Sequence, residues 1–162
     1  MRPPIRALDN VKSTRPQSNA TGAQALSRFA TRVQKQLGIV GEVNISITSN
    51  REMQALNRGF RKKNMPTDVL TFPSASAQIA GDIAISLEIA AENAVQLGHT
   101  LATEVKILIL HGMLHLAGYD HEIDDGEMQR REAELRKRFK LPIGLIERAT
   151  RSLPACGGRR RA

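Results

Sequence analysis

One segment constrains the fold more than any other: from Thr100 to Gly118, apolar residues occupy almost every side of a helix. Leu101, Val105, Leu108, Ile109, Gly112 and Leu116 share one face, while Ile107, Leu110 and Leu114 lie on the others. A helix apolar nearly all round is a buried one, so this segment is expected at the centre of the domain. Thr100 begins it, and Gly118 ends it, because the left-handed position after a helix favours glycine. At 162 residues the chain supports one domain with a real core. With four Phe, one Tyr and no Trp, that core must be mainly aliphatic.

The flanking segments supply what packs around this helix. Thr21 can cap a helix over 22–37, with Leu26, Phe29, Ala30, Val33 and Leu37 at helical spacing and Gly38 as its stop. Val43, Ile45 and Ile47 alternate with polar residues, the period of a half-buried strand. Ser49 or Asn50 can cap a second helix through Phe60, with Met53, Leu56 and Phe60 as its inner face. Asp68–Phe72 and Ile79–Ser86 read as strands, and Ser86 opens a helix ending near Gly98. Asp124 and Glu127 have capping-box spacing for a last helix to about Phe139. The expected class is α+β: a small mixed β-sheet flanked by helices, with the buried central helix carrying the histidines.

The net charge of +8 is unevenly spread. Residues 21–147 balance, with 15 basic and 15 acidic side chains; the whole excess lies in residues 1–20 and 148–162. The expected organisation is an irregular basic segment over 1–20, one domain over 21–147 and a basic tail over 148–162. Such tails can add salt-dependent affinity for RNA or simply solubilise the ends. Cys156 is the only cysteine, so neither an intrachain disulfide nor a thiolate metal cluster is available. No apolar run has the length of a membrane span or a signal peptide. A cytoplasmic setting without membrane contact is expected.

The chemistry concentrates in His111-Gly-Met-Leu-His115-Leu-Ala-Gly118-Tyr-Asp-His121. Histidines four apart project from one face of a helix, and the stop at Gly118 lets the chain turn back to offer His121. Three imidazoles with an open fourth position are how a catalytic zinc is held, whereas a structural site is closed by four protein ligands. Three of the four histidines fall within eleven residues here, and burying them without a ligand would be costly. One Zn2+ per chain is therefore expected on His111, His115 and His121, and a metal-dependent hydrolase is the implied class. His99 is read as a surface residue, Glu104 as an ion-pair residue or one that supports a metal ligand from behind, and Asp120 as a group that could orient a ligand. The spacing also fits the metzincin protease pattern, but Gly112 stands where that pattern has its glutamate base, which disfavours a protease.

A second cluster, Arg58, Arg61, Lys62 and Lys63, precedes the rigid Met65-Pro66-Thr67 turn and is a candidate for binding phosphate. The stretch from Leu56 to Pro73, then Gly81-Asp82-Ile83-Ala84-Ile85-Ser86, then the histidine block, closely resembles the YbeY family of bacterial ribosomal-RNA maturation factors. The three blocks occur in the family's order over roughly residues 42–138. The resemblance implies a single-metal endoribonuclease of single-strand type. It would act in small-subunit ribosomal RNA maturation and ribosome quality control, with ribosomal RNA and small-subunit components as partners. It implies His111, His115 and His121 as metal ligands and Arg61 as the catalytic residue. A non-cleaving, metal-stabilised assembly factor is the alternative from another class. This chain departs from the family pattern at its start, where only Ile5–Leu8 suggests a strand, and at Asn64, a position commonly acidic.

Overall fold

The computed structural model describes residues 18–151. Residues 1–17 and 152–162 lie outside the described residues, and with them most of the segment 1–20 expected to be irregular, the Ile5–Leu8 strand candidate and Cys156. The elements run α1 (Ser18–Leu37), β1 (Glu42–Thr48), α2 (Asn50–Arg61), β2 (Val69–Pro73), β3 (Ile79–Ser86), α3 (Leu87–Leu97), α4 (Leu101–Leu116), α5 (Glu127–Arg138) and α6 (Leu145–Arg151). The three strands form one mixed sheet in the order β1-β3-β2. Strand β1 lies parallel to β3, with Ile45 opposite Ile83, and β2 is antiparallel to it, with Leu70 opposite Ala84. The small mixed sheet with flanking helices is the expected α+β class. No helix among the described residues is long and apolar enough to cross a membrane.

The middle strand shows why the domain is layered. Ile83 and Ile85 point to one face and join Val105, Leu108, Ile109 and Met113 of α4 in the main core. Ala84, between them, points to the other face, where it meets Leu70 and Met53 of α2. Successive strand residues face opposite sides, so a strand covered by helices on both faces must be apolar at every position, as 83–85 are. Helix α4 is buried from Glu104 to Leu114 apart from half-buried Lys106, and is packed by α1, α3, α5, α6 and the sheet. Gly112 is its point of closest approach to the sheet. A Cβ there would lie 2.9 Å from the Ile83 side chain. The glycine occupying the protease-base position is thus a packing residue with no room for a carboxylate.

Local sequence explains most boundaries. Ser49 caps α2 in a full capping box with Glu52, Ser86 caps α3, and Thr100 caps α4 through the N–H of Thr103. Four expectations change. Helix α1 starts at Ser18 rather than after Thr21. Helix α5 is capped by Gly126, not by an Asp124–Glu127 box; Asp124 instead accepts the N–H groups of Gly126 and Met128. Phe60, expected on the inner face of α2, is 57% exposed. Finally, α6 occupies residues expected as a packed loop and the first part of the tail, and Arg148 folds back into the core.

Candidate metal centre

His111 and His115 leave α4 one turn apart, and the end of that helix supplies the third imidazole. The Ala117 N–H bonds Met113 O at 2.9 Å, Gly118 adopts φ +94°, and the Tyr119 N–H reaches back to Leu114 O at 3.1 Å. A positive φ here is what lets the chain reverse, and glycine adopts it without a Cβ penalty. The Asp120 carboxylate then accepts the Glu122 N–H at 3.0 Å, folding a tight loop that returns His121 toward the helix. The three rings stand with centroids 4.8, 5.3 and 5.4 Å apart. Their candidate ligand atoms all lie within 4.8 Å of one another.

Hydrogen bonding decides which nitrogens are available. His111 Nδ1 lies 3.1 Å from a Glu132 carboxylate oxygen, and His115 Nδ1 lies 3.1 Å from the Tyr119 carbonyl oxygen. Both partners accept, so both Nδ1 atoms carry the proton and donate it. Their Nε2 atoms are then left with lone pairs, and these face each other at 3.2 Å. Two such lone pairs repel unless a cation lies between them. A tetrahedral zinc with Zn–N of about 2.0–2.1 Å would hold two nitrogens roughly 3.3 Å apart. The residues present therefore fit a zinc-type ion. Burial, followed by the neighbouring imidazoles of His111 and His121, holds the His115 pKa below the ordinary 6.5. That favours the neutral form a metal needs. Among the described residues, His111, His115 and His121 are the one group of three or more His, Cys, Asp or Glu side chains placed to hold an ion.

Orientation of the ligands comes from residues the sequence did not point to. Glu132, on the buried stripe Met128–Glu132–Leu135 of α5, is 3% exposed at its side chain. One oxygen accepts from His111 and the other accepts the Ile146 N–H in the first turn of α6 at 3.1 Å. Gly144 makes room for it, since a Cβ there would fall 2.5 Å from Glu132 Oε2. The expected orienting role of Asp120 thus passes to Glu132 and to the Tyr119 carbonyl, while Asp120 shapes the loop. His99, expected at the surface, is instead largely buried and lies 2.6 Å from Glu104. Glu104 is an ion-pair residue, as expected, gripped by Arg148.

Arg61 ends α2 and approaches the loop that carries His121. Its guanidinium lies 3.8 Å from the carboxylate of Glu122, the neighbour of His121, and both side chains are about half exposed or more, at 49% and 65%. Lys62 takes the left-handed cap position at φ +60°. The loop beyond is fixed by Asn57, whose side chain donates to Met65 O at 2.8 Å, and by Asp68, which accepts the Val69 N–H. The structure therefore brings Arg61, one member of the cation cluster, to the loop that carries His121, although the two are far apart in sequence.

A small mixed-sheet α+β domain with three imidazoles at the open end of a buried helix defines a class of metal-ready site proteins. Within that class the assignment is specific. The family model described as Endoribonuclease YbeY matches residues 7–140, and the chain belongs to the YbeY family. A relative named Endoribonuclease YbeY from Koribacter versatilis is 56% identical over 79% of this chain and 84% of its own length. Another of the same name, from Solibacter usitatus, is 48% identical over 76% and 84%. The solution structure of a Thermotoga maritima protein aligns with TM-score 0.55 at 30% identity, covering 90% of this chain and 96% of that one. The family supports an endoribonuclease, hence a hydrolase acting on RNA.

Proposed function

We propose that this chain is a zinc-dependent endoribonuclease of single-strand type, acting in small-subunit ribosomal RNA maturation and ribosome quality control in the cytoplasm. Its partners are then ribosomal RNA and small-subunit components. The observation that carries the metal dependence is the pair of proton-free Nε2 atoms facing each other at 3.2 Å beside His121. One zinc per chain, on His111, His115 and His121, would supply Lewis-acid polarisation of a phosphoryl oxygen and acidification of water toward neutral pH. Family membership supports RNA as the substrate.

The chain's own residues would divide the work as follows. Glu132 and the Tyr119 carbonyl hold two imidazoles in the ligating tautomer. Arg61 binds the scissile phosphate, exchanging the Glu122 carboxylate for a phosphate oxygen, and stabilises the charge that grows there. Lys62 and Lys63 follow the flanking backbone.

The test is cleavage of ribosomal RNA by metal-quantified wild type and by His115→Ala, each with and without chelator. Cleavage by wild type that is lost on chelation and in the variant supports the reading. A fully metallated protein that binds RNA but leaves it intact would instead make it an assembly factor. Arg61→Ala should slow cleavage on the order of 100-fold with metal content unchanged; a loss of metal would show that Arg61 supports the structure.

A further inference from the structure

Three of the chain's four phenylalanines lie in or against a hydrophobic core, and one, Phe60, faces solvent. Phe29 and Phe139 meet edge to face with centroids 5.3 Å apart, in the main core. Phe60 and Phe72 form a second pair, with centroids 4.6 Å apart and planes tilted by 53°. Phe72 is half-buried on the α2 face of the sheet, against the Met53–Leu70–Ala84 cluster. Phe60 lies on it with 57% of its surface exposed, so Phe72 acts as a fixed backing for a ring that faces solvent. Hydrophobic burial alone does not account for that placement, because the inner face of α2 is completed by Met53 and Leu56.

The surroundings specify what such a ring would meet. Phe60 stands between Arg58 and Arg61 in the last turn of α2, with Lys62 and Lys63 following. Arg61 reaches the loop of His121. An exposed aromatic face on a helix end that also carries Arg61, with Lys62 and Lys63 next in the chain, fits a polyanion that carries aromatic groups, which describes a nucleic-acid strand with its bases unstacked. Aliphatic or acidic peptide partners match only one half of that chemistry. We infer that Phe60 is a stacking platform for an unpaired base of the strand whose phosphate Arg61 holds. Its backing by Phe72 fixes the ring before the strand arrives, so little ordering is required on binding. The inference rests on the RNA-cleaving reading above and adds the residue that selects unpaired RNA over paired.

The absence of tryptophan makes the test direct. Metal-loaded wild type, Phe60→Ala and Phe60→Trp are titrated with a 2′-O-methyl oligouridylate, checked intact afterwards, and with an abasic oligomer of equal length and charge. Wild type should prefer the base-bearing strand, and Phe60→Ala should lose about tenfold of that preference while binding the abasic strand as wild type does. Phe60→Trp should keep the preference, and its single indole should be quenched by the base-bearing strand alone. Undiminished discrimination in Phe60→Ala, or an indole that does not respond, overturns the stacking role even if wild type cleaves ribosomal RNA. Failure of wild type to bind or cleave any RNA overturns the stacking role and the nuclease reading together. Melting temperature is followed in parallel, and a side chain this exposed should leave it nearly unchanged.

Discussion

Two glutamates are buried in this domain, each beside a histidine, and their surroundings differ in one respect. Glu104, at the start of α4, has Arg148 on both oxygens at 2.8 and 3.0 Å and His99 at 2.6 Å. Glu132, in α5, is held by His111 and the Ile146 N–H, and among the described residues no Arg or Lys pairs with it. A buried carboxylate needs a counter-charge as well as hydrogen bonds. At Glu104 the protein provides the cation itself. At Glu132, among the described residues, the route to positive charge runs through the imidazole of His111, whose other nitrogen faces the proposed metal. The first is a structural clamp; the second is a carboxylate–histidine pair whose charge balance the proposed ion would complete.

The sharpest way to break the comparison is to remove Arg148. Arg148→Ala leaves a fully buried carboxylate without its guanidinium, with only His99 and Asn93 beside it, and about 3–5 kcal/mol of stability should be lost in urea unfolding. Metal affinity of the folded fraction should be unchanged; an equal loss of metal would mean that the two glutamates are not separable. Glu132→Gln is the opposite probe, keeping shape and an acceptor while removing charge. Zinc affinity measured against a competing chelator should fall roughly 10–100-fold with a smaller loss of stability. If zinc affinity holds and stability alone falls, Glu132 serves only to fasten α6.

A smaller effect distinguishes the two ends by pH, read on metal-free protein. Burial holds the His115 pKa below 6.5, so the unfolded chain binds that proton first. Stability from this group is present above 6.5 and is lost as pH falls below it. For Glu104, burial acts to raise the pKa, but the hydrogen bonds from Arg148 and His99 outweigh it, and the net direction is below 4.5. Its contribution is present above 4.5 and fades only at more acid pH. Unfolding free energy should therefore decline in two separate windows. His115→Ala should remove the upper one and Arg148→Ala weaken the lower; a single merged decline would contradict the assignment.

What could be read from the sequence follows the range of the signal. Caps and periodicity act over three or four residues, and they located α2, β3, α3 and α4 closely. The histidine group was legible because two members share a helix and the third follows one turn. Arg61 came from a resemblance, and its approach to Glu122 joins segments that no local pattern connects. Glu132 was missed because α5, Glu-Met-Gln-Arg-Arg-Glu-Ala-Glu-Leu-Arg-Lys-Arg, reads as a solvated charged helix. A signal was nevertheless present: Met128, Glu132 and Leu135 share one stripe, so a charge sits where only apolar residues should. Helix α6 was hidden because its Arg148 matched the composition of a basic tail. Its true partner lies 44 residues earlier, a distance over which composition carries no information.

The same helix bears on where the folding unit ends. The family match closes at residue 140, and the run of arginines invites a boundary soon after. A chain shortened to 147 would keep every histidine and every described strand, yet it would lose the guanidinium that neutralises Glu104 at the start of α4. Shortened to 143, it would also lose the Ile146 N–H and leave Glu132 with one partner. Residues that resemble dispensable trailing sequence are thus the closing piece of the interior, and a nuclease trimmed to its motifs would be expected to arrive insoluble rather than inactive.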